Sequence, residues 1–292
     1  MRKTSWILCI LGIALSTAAS LAAQEEGSSS PLREYVNAPQ IRAVDTLFME
    51  DMTWLEIRNA MKAGKTTAIV PAGGLEASGP FLVLDKHQRM LRGSTEMIAR
   101  KLGNALIAPV IRYVPADDGN RGTYLGDFNI SLAAYKSTLS DICSALKNGG
   151  FREIVLIGDH QGAQRGLKEV AEELKQKWAG GATRVHYIAE YYDRTAVGSY
   201  VKTTLGINET RGGFGDNYYN KSVLLALNPE SVRVQQRAEA KQLTVNGVNL
   251  QPVSKTVENG KVILEMQTDQ TVKAIQKAIA GGQAQASAES KH

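Results

Sequence analysis

Short apolar runs alternate with stretches of helical periodicity between residues 52 and 189, and this alternation limits the folds open to the chain. The strand-like runs cover 67–71, 105–110, 153–157 and 184–189, and the helical patterns cover 54–64, 90–102, 131–147 and 165–178. Strands joined through helices of this length need crossover connections, which are right-handed and leave the strands parallel. The sequence therefore predicts a three-layer α/β/α fold, in which helices cover both faces of a mainly parallel sheet.

The pattern weakens after residue 190. A helix is predicted over 222–227, and Asn246-Gly247 between two short β-like runs is typical of a hairpin. A last helix is predicted over 261–280, and the small and polar residues of 282–292 indicate a disordered tail. We expect one α/β domain over residues 46–281, preceded by a flexible segment over 24–45.

The first 23 residues have the features of an export signal. Arg2 and Lys3 precede an apolar core over residues 6–18, and Ser20-Leu21-Ala22 fits the rule for cleavage between small residues. An uncleaved membrane anchor is the alternative, but the apolar run is shorter than the ~20 apolar residues that a spanning helix needs. We expect a signal peptide over 1–23, a periplasmic or secreted protein, and no membrane attachment after cleavage.

Cysteine content and charge argue against a disulfide-stabilised protein and against a nucleic-acid-binding protein. Cys9 lies in the predicted signal, so the mature chain keeps Cys143 and forms no intrachain disulfide; the helical pattern around Cys143 predicts a buried packing residue. The formal net charge of +5 comes from basic residues scattered among acidic ones. Because no stripe of Arg and Lys interleaves with aromatic residues, no nucleic-acid partner is expected.

Titratable residues follow two of the predicted strands directly. The run 153–157 leads into Gly158-Asp159-His160-Gln161-Gly162, and the run 67–71 is followed by Glu76, with Asp85 and His87 about ten residues further on. The carboxyl ends of parallel strands lie at one edge of a sheet, where ligands bind in open α/β folds. Carboxylates and imidazoles together suit zinc or manganese. The sequence therefore predicts a metal site at this edge.

Three segments, in order, resemble the signatures of the creatininase family of metal-dependent amidohydrolases. Residues 73–87 resemble its first signature, Gly-x-x-Glu-Gln-His-Gly-Pro-His-Leu-Pro-Leu-x-x-Asp. Residues 149–163 resemble its second, with Gly-Phe-Arg before an apolar strand and Gly-Asp-His-Gln-Gly after it, and residues 222–229 resemble a later helix that ends in Pro. The resemblance spans about 50–235. It implies the family's fold, a homo-oligomer, and hydrolysis of a non-peptide C–N bond in a small-molecule amide.

The resemblance also implies site residues. Family members hold two divalent metals; Glu76 and His160 match two ligands, while a His ligand is replaced by Ser78 and the closing Asp by His87. Gly162 stands where some relatives carry Glu. The expected metal ligands for one or two zinc or manganese ions are Glu76, His87, His160 and Asp85. The expected catalytic residues are Glu76, Asp159 and Asp216, and the expected substrate contacts are Ser78, Tyr124, Gln161 and Tyr218.

Several alternatives stay open. The loss of a His at Ser78 is compatible with a single-metal hydrolase, a remodelled two-metal site, or a catalytically inactive small-ligand-binding protein of the same fold. The loop over 112–129, which contains Tyr124, is either a solvated connector or a substrate lid. A dinucleotide-dependent oxidoreductase is disfavoured because the turn after the first strand is not Gly-x-Gly-x-x-Gly.

Overall fold

The computed structural model describes residues 43–116, 125–210 and 215–289, with side chains described as far as residue 283. The predicted signal peptide, nearly all of the predicted flexible segment and Tyr124 lie outside these residues, so the expectations for them stay predictions. The middle of the loop over 112–129 and the last three residues of the predicted tail lie outside them too, and the other expectations for secondary structure fall on described residues.

A four-stranded sheet forms the middle layer, and all of its strands are parallel. Its strands are β1 (Thr67–Ala72), β2 (Ala105–Ile107), β3 (Glu153–Gly158) and β4 (Arg184–Tyr187), in the order β2-β1-β3-β4. Both central strands, β1 and β3, are buried along their whole length. Ala72 pairs with Gly158, so β1 and β3 end side by side. The residues that follow them therefore emerge at one point of the sheet edge.

Helices cover both faces of the sheet, as the sequence predicts. The helices are α1 (Trp54–Lys62), α2 (Lys86–Leu102), α3 (Leu132–Asn148), α4 (Gln161–Lys177), α5 (Arg194–Thr203), α6 (Tyr218–Leu227), α7 (Val234–Glu239) and α8 (Val253–Glu289). One core cluster packs Leu91 and Ile98 of α2 and Ile275 of α8 against the sheet. The cluster on the other face takes Leu139 of α3 and Leu167 of α4. The three-layer α/β/α prediction is confirmed.

Local sequence signals account for several element ends. The Thr53 hydroxyl accepts a hydrogen bond from the Glu56 amide at the start of α1, and the Ser131 hydroxyl accepts one from Ala134 at the start of α3. The predicted hairpin is present as β5 (Thr244–Val245) and β6 (Val248–Asn249). Its turn residues both have positive φ, 48° at Asn246 and 85° at Gly247, which explains the Asn-Gly pair.

Some predicted boundaries are wrong. Helices α2 and α4 each begin four residues earlier than predicted, at Lys86 and Gln161, because their first turns carry polar residues that hide the apolar periodicity. Helix α5 was not predicted at all. Helix α8 runs on to Glu289, so residues 282–289 are helical rather than a disordered tail; Gln and Ala, which dominate this stretch, are strong helix formers.

The packing role predicted for Cys143 agrees with the structure. Cys143 is fully buried on α3, and burial raises the pKa of its thiol to about 12, as suits a packing residue. Of the helices in the described part of the chain, none combines the length and the apolar character needed to cross a membrane.

Candidate metal centre

The segment after β1 passes very close to two histidines because it carries paired glycines. A Cβ added at Gly73 would lie 3.0 Å from the Cβ of His87, and one added at Gly74 would lie 2.8 Å from Cδ2 of His160. Side chains at these positions would push the β1 segment away from α2 and α4. Gly73-Gly74 therefore lets Glu76 reach both imidazole rings.

Glu76, His87 and His160 form a compact group of potential metal ligands. Each offers one ligand atom, and these atoms all lie within 4.8 Å of one another. His87 Nε2 lies 3.1 Å from Oε2 of Glu76, and His160 Nε2 lies 3.6 Å from its Oε1. The two rings meet edge to face, with centroids 5.2 Å apart. The structure therefore brings together three of the four predicted metal ligands.

Asp159 supports His87 from behind. Its Oδ2 lies 2.8 Å from Nδ1 of His87, and its Oδ1 accepts a 2.5 Å hydrogen bond from Nη2 of Arg194. Burial alone would raise the pKa of Asp159, but the Arg194 charge and the His87 hydrogen bond lower it overall. An ionised carboxylate only accepts hydrogen bonds, so His87 donates from Nδ1 and directs the lone pair of Nε2 towards Glu76. Asp159, expected from the sequence to be catalytic, is thus a positioning group that does not line the cavity.

The donor set fits a divalent cation. Burial and the neighbouring Lys86 charge lower the pKa of His87, which favours the neutral ring. Burial also opposes ionisation of Glu76, but its contacts with the two histidine rings and the Lys86 charge lower its pKa overall. A neutral Nε2 and a carboxylate oxygen, 3.1 Å apart, are two acceptors that repel each other until a cation joins them. Two imidazoles and one carboxylate are a ligand set that zinc accepts.

His160 also starts helix α4. It is the N-cap residue, and its Nδ1 accepts a 3.1 Å hydrogen bond from the backbone amide of Gly162. In a neutral ring with this arrangement, the proton is on Nε2, the nitrogen nearest Glu76. The ring therefore has a structural partner on one side and the ligand group on the other.

Lys86 is a site residue that the sequence did not reveal. It is the first residue of α2, its side chain is completely buried, and Nζ donates to Oε2 of Glu76 and to Oγ of Ser78. Ser78 is buried as well, and its hydroxyl accepts a hydrogen bond from the Lys86 ammonium. The structure therefore does not bring Ser78 to the cavity as a substrate contact. A helix start predicted at Met90 left the inward direction of Lys86 unknown.

A cavity of about 540 Å³ opens above the ligand group. Its floor includes Glu76, His87, His160 and the predicted substrate contact Gln161. The opposite wall comes from α5, residues 207–209 and the start of α6, and contributes Arg194, Lys202, Glu209, Tyr219 and Asn220. The Arg194 guanidinium lies over the rings of Tyr192 and Tyr219, 4.3 and 4.7 Å from their centroids. Arg194 was missed because no helix was predicted there.

Three other predicted site residues in the described segments lie elsewhere. Asp85 forms a 2.7 Å ion pair with Arg89 and is not in the ligand group. Oδ1 of Asp216 lies 2.6 Å from Lys221 and 2.7 Å from Arg237, two buried cations, so this carboxylate anchors its loop. The hydroxyl of Tyr218 accepts a 2.8 Å hydrogen bond from Asn259, away from the cavity. The helical register of α6 places Tyr219 at the cavity instead.

Comparison with known proteins gives consistent results. Residues 50–289 match the model of the creatininase family, described as creatinine amidohydrolase. A creatinine amidohydrolase of Pseudomonas putida is 23% identical over 203 residues, which are 64% of this chain and 74% of that protein.

Solved structures share the fold. A creatininase described as the Mn form has 19% identity and a TM-score of 0.61, covering 80% of this chain and 98% of its own. A mutant creatininase described as Zn-Zn type has 20% identity and a TM-score of 0.59, with the same coverage. At these identities the structural likeness establishes the fold. Because the family model spans most of its length, the chain belongs to the creatininase family.

Proposed function

We propose that this protein is a metal-dependent hydrolase of a non-peptide C–N bond in a small amide or cyclic amide. The observation that carries this proposal is the ligand group of Glu76, His87 and His160, whose donor atoms lie within 4.8 Å of one another at the floor of the cavity. A cavity of about 540 Å³ has the size of a small-molecule site.

Zinc or manganese would be held by Glu76, His87 and His160, and solved relatives are described with these metals. When bound, such an ion supplies a nucleophile by lowering the pKa of water, and it polarises the carbonyl oxygen of an amide. Three protein ligands with an open fourth position are typical of catalytic zinc sites.

The chain's own residues would orient and polarise the reacting groups. Asp159 fixes the ring of His87, and Gln161 and Asn220 present amide groups to the cavity for hydrogen bonds to a polar substrate. Of the three predicted catalytic acids, Asp159 is paired with Arg194, and Asp216 is paired with Lys221 and Arg237. Glu76 is the one of these three that lines the cavity, where it would act as a metal ligand.

A non-catalytic small-ligand-binding protein is the second candidate. It is favoured by the Lys86 ammonium, which already neutralises the Glu76 carboxylate and competes with a metal for it. This alternative predicts a metal-free protein that a ligand stabilises without being consumed.

Substrate, location and assembly remain proposals. One solved relative is described as a mutant creatininase complexed with creatine, so creatinine, other cyclic amides and formamides form the first substrate panel. Export to the periplasm or the medium follows from the predicted signal over residues 1–23, and a homo-oligomer follows from the family resemblance.

The central test measures metal content and amide hydrolysis on the same preparations. His160→Ala removes one ligand, so bound zinc or manganese and turnover should both be lost, as measured by plasma mass spectrometry and product release. His186→Gln is the matched control, because His186 lies on β4, outside the ligand group, and contacts Glu153 of β3. Retained turnover in His160→Ala would contradict the mechanism, and a wild-type protein that takes up no metal would favour the binding protein.

A further inference from the structure

Lys86 places a positive charge against the ligand group itself. Its side chain is completely buried, and its ammonium contacts Oε2 of Glu76 and Oγ of Ser78. The chain encloses it further at Gly215, where an added Cβ would lie 3.0 Å from Nζ. Burial lowers the pKa of Lys86, and the charge and hydrogen bond of Glu76 oppose that shift, so the contact with Glu76 is what favours a charged ammonium at this place.

The two oxygens of Glu76 face different partners. Oε1 lies towards Nε2 of His160, and Oε2 lies between Nε2 of His87 and the Lys86 ammonium. A cation held by the two imidazoles would use the side of the carboxylate that faces them. The other side is already taken by Lys86. Glu76 is thus arranged like a carboxylate shared between two cations, one of which the chain provides.

Among the described residues, none offers a free metal ligand on the side of Glu76 that faces Lys86. Ser78 offers a hydroxyl group that already contacts the ammonium. Beside His160, Gly162 stands where some relatives carry Glu, and it has no room for a side chain, because a Cβ there would lie 2.0 Å from the carbonyl oxygen of Pro115. The Asp216 carboxylate is held by Lys221 and Arg237. The described residues at this position therefore do not form a second ligand set.

Each carboxylate at the centre also has a cationic partner from the chain itself. Glu76 and Asp159 are negative, and Lys86 and Arg194, each in contact with one of them, are positive. In two-metal sites the ions lie about 3.5–4 Å apart and need shared carboxylates to screen their repulsion. Neither carboxylate here is free for that purpose.

We infer that the Lys86 ammonium occupies the place of a second metal ion, so that the centre binds one divalent cation and the chain itself supplies the other positive charge. This inference rests on the proposed function, since it concerns the same ligand group. It predicts one bound metal ion per chain, whereas one solved relative is described as Zn-Zn type.

Metal stoichiometry tests the inference. The full chain and its variants are saturated with zinc, freed of unbound metal by gel filtration and analysed by plasma mass spectrometry. The wild-type protein should hold one zinc per chain, and Ser78→His should still hold one, since the ammonium remains. The double variant Ser78→His with Lys86→Met, which adds a ligand and removes the charge, should hold two. Lys136→Met, which breaks an ion pair with Glu169 and Glu173 elsewhere, should leave the count at one.

A second readout covers the case in which the double variant does not fold. In Lys86→Met, zinc affinity measured against a competing chelator should rise by about tenfold or more, because a positive charge beside the ion is removed. Unchanged or weaker affinity would overturn the inference, as would a double variant that folds and holds one zinc.

The remaining outcomes separate this inference from the proposed function. Two zinc ions in the wild-type protein would overturn the inference and leave a metal-dependent hydrolase. No zinc in the wild-type protein but one in Lys86→Met would show that Lys86 replaces the ligand group's own metal, which contradicts both. No zinc in either protein would also contradict both.

Discussion

Asp159 and Glu153 stand at opposite ends of β3, and each holds the ring of a histidine. Asp159 contacts Nδ1 of His87 at 2.8 Å, and Glu153 contacts Nε2 of His186 at 2.8 Å. The first pair belongs to the metal centre, and the second joins β3 to β4. This likeness provides a matched pair of carboxylates for testing how much a supporting residue contributes to metal binding.

Asp159→Asn should weaken zinc binding by about 10- to 100-fold, the usual effect of losing the carboxylate behind a ligating histidine. The amide no longer obliges His87 to donate from Nδ1, and Arg194 loses its charge partner. Chelator competition measures the affinity. Glu153→Gln should leave it unchanged within error. Equal affinities in the wild-type protein and Asp159→Asn would show that Asp159 does not position the ligand.

Residues at strand ends could be predicted, and residues that depend on helical register could not. Glu76 and His160 follow β1 and β3, so the parallel-sheet rule was enough to bring them together. Lys86 depends on the exact start of α2, which the polar first turn conceals. In the same way, Tyr219 rather than Tyr218 reaches the cavity because one residue turns a helix by about 100°.

Helices α6 and α8 pack closely at Gly260. A Cβ added at this glycine would lie 1.8 Å from the carbonyl oxygen of Ser222, so the two backbones touch. Gly260→Ala should therefore destabilise the protein by about 1–3 kcal/mol, the usual cost of overpacking. Gly198→Ala on α5 is the control, because an added Cβ there meets no atom within 4 Å.

Urea unfolding distinguishes the two variants. Alanine in place of a helical glycine should stabilise Gly198→Ala by about 0.5–1 kcal/mol through backbone entropy alone. Equal free energies of unfolding for the two variants would mean that α6 and α8 do not meet as closely as the structure indicates.

At the level of elements, the sequence was most informative where apolar residues repeat. β1, β3 and the apolar parts of α3 and α4 follow directly from their periodicity. The first turns of α2 and α4 did not, because they carry Lys86, His87 and Gln161, which serve the site and break the pattern. Boundaries were therefore hardest to predict beside the functional residues.

The folded molecule as a whole should respond to metal. Because His160 lies far along the chain from Glu76 and His87, the unfolded chain lacks the ligand group, and binding stabilises the native state. Zinc at 100 times its Kd should add about 2.7 kcal/mol, or about 5–10 °C in Tm for a domain of this size. Differential scanning fluorimetry measures the shift. An equal rise in His160→Ala would show that zinc binds elsewhere.

The three-layer architecture was predictable from the alternation of strands and helices, because few topologies satisfy right-handed crossovers. The cavity was not, since its far wall comes from α5 and residues 207–209, in the part of the chain with the weakest pattern. The sequence pattern therefore does not predict which residues form the far wall of the cavity.

The hydrogen bond between His160 and the Gly162 amide reduces the free energy of metal binding, because the metal must break it. When a metal takes Nε2, a neutral ring must carry its proton on Nδ1, and the helix cap at 3.1 Å is lost. A cap contributes about 0.5–2 kcal/mol, so this exchange lowers metal affinity by about 2- to 30-fold. The first turn of α4, packed against Pro115, is thus tightest when the site is empty and loosens as it fills.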